Sequence, residues 1–333
     1  MTDPVIRALR EIVPVTRGQV NLGGRMLRWV ESGTGTPTVV LIAGRNDTAL
    51  SWGPVLAALA GRTHAVAYDR AGLGDSDPDR HTLSTERAVA DLSRLVNVIS
   101  AGPCLVAGHS YGGLLALLLA AAHPGQLAGL VLVDPALPAL MDWLPRPLRR
   151  TVGGVARARP VALYATGRLR SATRGRAAAA AEAFSDDPRV QALVTDAYLA
   201  SADWPHVLAG YREGQGIAAS EAGIRRGLAA PRGQGLPVSA RGPLPAPGPH
   251  DLPMVVISAT EGRPFWVRRR WTALQAELAA ERGARYIVAD GSGHAVPLDR
   301  PTLVAEAILG CARTTRPSQP RPYSGPSSDF MGA

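Results

Sequence analysis

One nine-residue stretch, LVAGHSYGG at positions 105–113, constrains the fold more than any other part of the chain. An apolar run leads into it, and an unbroken helix-forming block follows at positions 114–122. A sharp turn from strand to helix leaves room only for glycine at Gly108 and Gly112. That turn would lift the Ser110 hydroxyl out of a sheet and present the next backbone N–H at a helix N-terminus. We therefore interpret Ser110 as a nucleophile, the alternative being a glycine-flanked helix cap with Ser110 as N-cap.

Short apolar runs alternate with helical segments on both sides of this turn. We expect strands at positions 38–43, 65–68, 105–107, 129–133, 254–258 and 285–289. Runs this uniformly apolar are typical of parallel strands that are buried on both faces. A hairpin at positions 18–31, turning at Gly23 and Gly24, would add antiparallel strands at one side. The sequence predicts an α/β fold with a mostly parallel central sheet flanked by helices.

The strand pattern breaks off after Pro135 and resumes at Met254. The segment between is rich in alanine and arginine, with helices expected at 177–183 and 191–200 and an irregular Pro/Gly-rich loop at 231–249. We predict four parts, namely a core at 1–137, an inserted helical cap at 138–250, the rest of the core at 251–313 and a disordered tail at 314–333. The cap would cover the carboxyl ends of the strands, where open α/β sheets bind ligands.

Four motifs occur in an order that resembles the α/β-hydrolase family, in its form with a helical cap. They are GHSYGG at 108–113, LIAG at 41–44, YDRAGLGDS at 68–76 and GSGH at 291–294. This resemblance implies a serine esterase or lipase with a nucleophile elbow, a catalytic triad and an oxyanion hole. It implies no cofactor, and no Cys/His cluster in the sequence has the spacing of metal ligands. The motifs specify the fold much more closely than the substrate.

The resemblance assigns the other catalytic parts. His294, in a glycine-flanked loop after the last expected strand, is the predicted general base. For the acid we favour Asp134, which ends the strand after the elbow helix. Glu261 is the alternative, because it lies one residue before Gly262, which occupies the family's more common aspartate position.

The oxyanion hole is expected to use two backbone N–H groups. One belongs to Tyr111 and the other to Arg45 in the loop after Gly44. The family commonly has His-Gly where this chain has Ala43 and Gly44, so a side chain that often braces this loop is missing here.

These parts predict a serine hydrolase that cleaves a small-molecule carboxylic ester or related acyl bond through an acyl-enzyme on Ser110. Epoxide hydrolase or dehalogenase chemistry on this fold would require aspartate at the elbow. Two alternatives stay open: a cofactor-free C–C bond hydrolase or haloperoxidase-like enzyme on the same triad, and a non-catalytic small-molecule receptor.

The basic charge is confined to one stretch of the chain. The formal net charge is +9, and positions 143–181 hold nine arginines and no acidic residue. They are Arg146, Arg149, Arg150, Arg157, Arg159, Arg168, Arg170, Arg174 and Arg176. This stretch is either a solvated helical face or a surface that attracts acidic lipids or substrates, so we expect at most weak association with acidic surfaces. We expect no nucleic-acid partner, because no interleaved aromatic residues or binding motif accompany the charge.

The sequence also predicts a cytoplasmic location without a membrane anchor. The first twenty residues mix charged with aliphatic residues, unlike a secretory signal. The apolar block at 114–122 is far shorter than the ~20 residues of a membrane span.

Overall fold

A computed structural model describes residues 4–81, 84–229 and 252–314. The expected loop at 231–249 and nearly all of the expected tail lie outside the described residues. The strands are β1 (Thr16–Asn21), β2 (Met26–Ser32), β3 (Val39–Ile42), β4 (Ala65–Tyr68), β5 (Cys104–His109), β6 (Leu127–Val133), β7 (Met254–Ala259) and β8 (Arg285–Ala289). The helices before β7 are α1 (Pro4–Arg10), α2 (Gly53–Leu59), α3 (Thr85–Ile99), α4 (Tyr111–Ala122), α5 (Arg146–Ala165), α6 (Leu169–Phe184), α7 (Pro188–Ala200), α8 (Trp204–Ala219) and α9 (Glu221–Ala229). Those after it are α10 (Phe265–Arg282), α11 (Val296–Asp299) and α12 (Pro301–Thr314).

The eight strands form one sheet in the order β1-β2-β4-β3-β5-β6-β7-β8. The hairpin strands β1 and β2 are antiparallel to their neighbours, and all other pairs are parallel. In this register Ile42 lies opposite Gly108, and His109 lies opposite Val133. The prediction of a mostly parallel sheet flanked by helices is therefore confirmed, and the carboxyl ends of β3, β5, β6 and β7 meet at one edge.

Buried side chains form a hydrophobic cluster on each face of the sheet. Along β5, Leu105 and Ala107 belong to one cluster, whereas Cys104 and Val106 belong to the other. Successive side chains of a strand point to opposite faces, so a strand between two helical layers must be apolar at every position. Burial of one large aliphatic side chain stabilises such a core by about 2 kcal/mol.

Among the described residues between β6 and β7 are five α-helices, α5 to α9, and we call this segment (residues 146–229) the insert. Helices α6 and α7 contain the two stretches that the sequence predicted to be helical, but both are longer. The 20-residue α5 was not predicted, because Pro160 lies inside it and none of its residues is buried. Within the described ranges, no helix combines the length and the apolar character needed to span a bilayer.

Candidate active site

The elbow between β5 and α4 has the tight geometry that its glycines predict. Ser110 has φ 51° and ψ −113°, which is strained for a residue with a side chain. A Cβ atom on Gly108 would lie 2.3 Å from the Gly112 carbonyl oxygen, and one on Gly112 would lie 2.2 Å from that of Ile42. Neither glycine can therefore carry a side chain unless the backbone around it moves. The elbow holds the Ser110 side chain at the carboxyl edge of the sheet.

Ser110, His294 and Asp134 lie in one hydrogen-bonded line. Ser110 Oγ is 3.0 Å from His294 Nε2, and His294 Nδ1 is 2.6 Å from Asp134 Oδ2. In this geometry Nδ1–H donates to the carboxylate, which leaves Nε2 free to accept the hydroxyl proton. The Glu261 carboxylate is directed elsewhere, 3.6 Å from Arg268, and its side chain is 56% exposed. Of the two candidate acids, only Asp134 contacts His294.

The Asp134 carboxylate is completely buried and satisfied by several donors. The residue directly follows β6, and its backbone has a left-handed conformation (φ 45°). Its Oδ1 accepts hydrogen bonds from Trp271 Nε1 at 2.7 Å and from Gln275 Nε2 at 3.2 Å. Burial alone would raise the pKa of this carboxyl, but the hydrogen bond and charge of His294 and the charge of Arg263 outweigh it and lower the pKa to about 2. Asp134 is therefore ionised at neutral pH.

An arginine contacts both the acid and the imidazole, and sequence reasoning did not identify it. Arg263 Nη2 donates to Asp134 Oδ2 at 2.9 Å and lies 2.7 Å from His294 Nδ1. The guanidinium carbon sits 3.9 Å from the centre of the Trp271 ring, a cation–π contact that fixes its orientation. Oδ2 thus receives N–H groups from both Arg263 and His294, and the arginine neutralises part of the carboxylate charge. The one signal for Arg263 in the sequence is its position directly after Gly262, which occupies the family's usual aspartate position.

His109 positions the loop that carries His294. Its Nε2–H donates to the His294 carbonyl oxygen at 2.7 Å, and the two rings lie 4.8 Å apart. Its Nδ1 is buried and has no hydrogen-bond partner among the described residues. Burial, together with repulsion from His294, lowers the pKa of His109 to about 4. His109 is therefore neutral in the fold, and it is directed at the backbone of the loop that carries His294.

The two predicted oxyanion donors occupy different positions relative to the serine in the chain, one directly after it and one in the loop after β3. Tyr111 is the first residue of α4, where an amide has no intrahelical acceptor. Arg45 follows Gly44, and a Cβ atom on Gly44 would lie 3.5 Å from Ser110 Cβ. Neither amide donates to an acceptor in the part of the chain that the structure describes. An amide without an acceptor at the start of a helix, directly after a serine, is suited to stabilising negative charge on an oxygen.

A buried ion pair braces the loop after β3. The Arg70 guanidinium donates to the carbonyl oxygens of Ala43 and Gly44, both at 2.7 Å. Glu213, on α8 of the insert, accepts from Arg70 Nε at 2.5 Å and from the Asn46 amide at 2.9 Å. The loop therefore has an arginine brace in place of the missing family histidine. The same contacts connect the insert to the candidate site.

Comparison with known proteins gives the family. The family model described as the alpha/beta hydrolase family matches residues 39–307, which is most of the chain and includes all three residues of the hydrogen-bonded line. Among curated proteins, RutD from Azorhizobium caulinodans, which has a provisional carbamate hydrolase name, is 35% identical over 102 residues. That match covers 31% of this chain and 38% of RutD, so the chain spans less than half of this relative's length.

Two solved structures resemble the whole fold. Cfl2 from Burkholderia cenocepacia is 25% identical with a TM-score of 0.67, over 89% of this chain and 95% of Cfl2. The epoxide hydrolase CorEH is 19% identical with a TM-score of 0.66, over 91% of this chain and 100% of CorEH. The second likeness shows the fold alone. The sheet topology and the family-model match over residues 39–307 together show that the chain belongs to the alpha/beta hydrolase family.

Proposed function

We propose that the protein is a serine hydrolase that cleaves a carboxylic ester or a related acyl bond through an acyl-enzyme. The observation that carries this proposal is the line from Ser110 Oγ through the His294 imidazole to the Asp134 carboxylate, with separations of 3.0 Å and 2.6 Å. Both distances allow direct proton transfer or hydrogen bonding. The serine at the elbow supports acyl transfer over the epoxide hydrolase chemistry named for CorEH, which would need a carboxylate there.

The reaction follows from this arrangement in two halves. Ser110 Oγ attacks the acyl carbon as its proton moves to His294 Nε2, and the carbonyl electron pair shifts onto oxygen. The amides of Tyr111 and Arg45 stabilise that oxyanion. The intermediate collapses when the bond to the leaving oxygen breaks and His294 returns the proton to the alcohol. A water molecule, deprotonated by His294, then attacks the acyl-enzyme and releases the acid and Ser110.

In this mechanism Asp134 is the acid of the triad. It holds His294 in the tautomer with Nδ1 protonated and stabilises the imidazolium that forms during each transfer. Glu261 is the weaker candidate, because its carboxylate pairs with Arg268 and is largely exposed.

A panel of substrates determines which kind of acyl bond the protein cleaves. RutD is named for carbamates, whose carbonyl is attacked by the same chemistry, so carbamates belong beside esters. Diketones, and peroxide with halide, test the C–C hydrolase and haloperoxidase-like alternatives on the same residues. A small-molecule receptor would turn over none of these substrates.

Labelling with a fluorophosphonate probe tests the proposal, because the probe reacts only with an activated serine. We expect the wild type to gain one phosphonyl group on Ser110, Ser110→Ala to gain none, and the ester or carbamate panel to give turnover that Ser110→Ala lacks. Folded wild type that stays unlabelled and inactive on the whole panel would support the receptor. Turnover of diketones without turnover of esters or carbamates would support the C–C hydrolase.

A further inference from the structure

Helix α5 presents an aliphatic row to solvent. No residue of this 20-residue helix is buried. Leu148, Val152 and Val155 are 48%, 41% and 64% exposed, and their spacing of four and three residues puts them on one helical face. Large aliphatic side chains that are exposed singly are ordinary, but a row on one face of a helix marks a surface for contact.

Helix α5, helix α6 and the turn between them also carry arginines that have no carboxylate partner. Of the nine arginines on α5, α6 and the turn between them, only Arg149 has a carboxylate within 4.0 Å among the described residues, namely those of Asp142 and Glu221. The other eight have no ion-pair partner within this distance among the described residues, and most of their side chains are exposed. An amphipathic helix with an aliphatic row and flanking arginines has the pattern of helices that lie in a membrane interface.

Exposed aromatic residues lie shortly before helix α5 and at the start of helix α10. Trp143, three residues before α5, is 48% exposed and contacts Trp266 with ring centres 5.2 Å apart. Phe265 and Trp266 begin α10, directly after the loop that carries Arg263, and both are mostly exposed. Tryptophan is favoured at the level of lipid headgroups, where its ring is half in contact with apolar chains.

We propose that this surface, formed by Trp143, Leu148, Val152, Val155, Phe265 and Trp266 with the neighbouring arginines, docks on a bilayer that contains anionic phospholipids. Headgroup phosphates would pair with the arginines. The aliphatic and aromatic side chains would move out of water into the boundary between the lipid headgroups and the acyl chains. A nucleic acid would satisfy the arginines but would leave the aliphatic row in water. The proposal is independent of the acyl-transfer mechanism, because it uses none of the catalytic side chains.

Sedimentation of the 333-residue chain with lipid vesicles tests this proposal. We expect binding to phosphatidylcholine vesicles that hold about a quarter phosphatidylglycerol, weak binding to pure phosphatidylcholine, and a decrease in binding as salt is added. The variant Leu148→Glu/Val152→Glu/Val155→Glu should bind the anionic vesicles about tenfold more weakly or less. Arg150→Gln/Arg159→Gln should lose most of the preference for the anionic lipid. Val98→Glu, which alters a 54% exposed valine on α3, is the matched control and should bind like the wild type.

Circular dichroism must show the same helical content in every variant, since α5 has no buried residue whose loss would unfold it. Equal vesicle binding by the wild type and the triple variant would overturn the proposal, as would equal affinity for the two kinds of vesicle. Tighter binding to duplex DNA than to vesicles would instead assign the arginines to nucleic acid. A dimer that the triple variant dissociates, without vesicle binding by the wild type, would assign the row to a second copy of the chain.

Discussion

At the scale of single residues, the candidate site is a buried carboxylate shared by an imidazole and a guanidinium. Asp134 accepts from His294 at 2.6 Å and from Arg263 at 2.9 Å on the same oxygen. A carboxylate that only had to orient an imidazole would not require the arginine. The arginine lowers the desolvation cost of the buried charge, but it also places a positive charge beside the imidazolium that forms during catalysis.

The first prediction concerns the triad acid. Asp134→Asn should lower kcat for a nitrophenyl ester by about 10³-fold or more, because an amide can no longer hold His294 in the productive tautomer. Glu261→Gln should stay near wild-type activity, because its exposed carboxylate lies beside Arg268 and does not contact His294. Initial rates, with circular dichroism to verify folding, measure both variants. The reverse pattern, an active Asp134→Asn and an inactive Glu261→Gln, would transfer the role to Glu261.

The second prediction concerns Arg263. The charged or titratable side chains that contact His294 among the described residues are Asp134, Arg263 and His109. Arg263→Gln removes the charged partner that donates to the buried Asp134 carboxylate at 2.9 Å. We expect the free energy of unfolding to fall by about 1.5–3 kcal/mol, the usual contribution of a hydrogen bond to a charged group, as measured by urea unfolding. Arg269→Gln, at an exposed position of α10, is the control and should unfold like the wild type. Equal stability of the two variants would show that Arg263 does not stabilise the Asp134 carboxylate.

Much of this site could be anticipated from positions alone. Ser110, Asp134 and His294 each follow a strand, and parallel strands bring such residues to one edge of a sheet. Arg263 and Arg70 could not be found this way, because the direction of a long side chain depends on what packs beside it. Arg263 is oriented by Trp271, and Arg70 is oriented by Glu213, which lies 143 residues away in sequence.

At the scale of elements, the critical contact is the one between the start of α4 and the end of β3. This contact sets the position of the Ser110 hydroxyl relative to the sheet. It also sets the position of the loop that begins with Ala43 and Gly44. The close approach depends on Gly112, whose Cα faces the Ile42 carbonyl oxygen.

Two helical glycines provide the third prediction. Gly112→Ala would put a methyl group 2.2 Å from the Ile42 oxygen, so α4 must move away from β3. We expect the free energy of unfolding to fall by about 2–3 kcal/mol or more. Gly154→Ala, in α5 with nothing within 4 Å of the new methyl group, should raise it by about 0.5–1 kcal/mol. Urea unfolding measures both changes. Equal effects of the two substitutions would contradict the close packing at the elbow.

The strands were more predictable than the insert. A strand buried on both faces needs apolar residues throughout, and such runs are visible in the sequence. Helix α5 has Pro160 in its interior and an exposed apolar row, so neither its composition nor its periodicity indicated a core-facing helix. Asp203 caps the N-terminus of helix α8 by accepting from the His206 amide, and this cap is a local signal that the sequence analysis did not use.

At the scale of the whole molecule, the insert and the sheet domain share one buried ion pair. Glu213 and Arg70 are both buried, and their bonds reach the loop next to Ser110. Loss of one partner would leave an unpaired buried charge, which is strongly destabilising. The insert is thus part of the structure that holds the candidate oxyanion donors.

The fourth prediction is a loss of stability in mild acid. The pKa of buried His109 is lowered from 6.5 to about 4 by burial and by repulsion from His294. Below pH 6.5 the unfolded chain therefore binds a proton that the folded chain does not, and the free energy of unfolding falls until about pH 4. His109 alone should contribute a loss of about 2 kcal/mol between pH 7 and pH 5.

Urea unfolding at the two pH values measures this loss. His109→Gln should remove its share of the pH dependence, whereas His81→Gln, at an exposed position, should not. The lowered pKa of Asp134 affects the free energy of unfolding in a different pH range. That carboxylate loses its stabilising contribution only as the pH falls from about 4 to about 2. A slope between pH 7 and pH 5 that is the same in His109→Gln and in the wild type would contradict this account of His109.

The central claim is that Ser110 is acylated during turnover, and a rapid-mixing experiment with a nitrophenyl ester tests it most directly. Where deacylation is the slower half, nitrophenol should appear in a burst of about one equivalent per enzyme. Mass spectrometry of acid-quenched protein should then find the acyl group on the peptide that contains Ser110. Hydrolysis by the folded wild type that continues unchanged in Ser110→Ala, with the acyl group on another residue or on none, would contradict the claim.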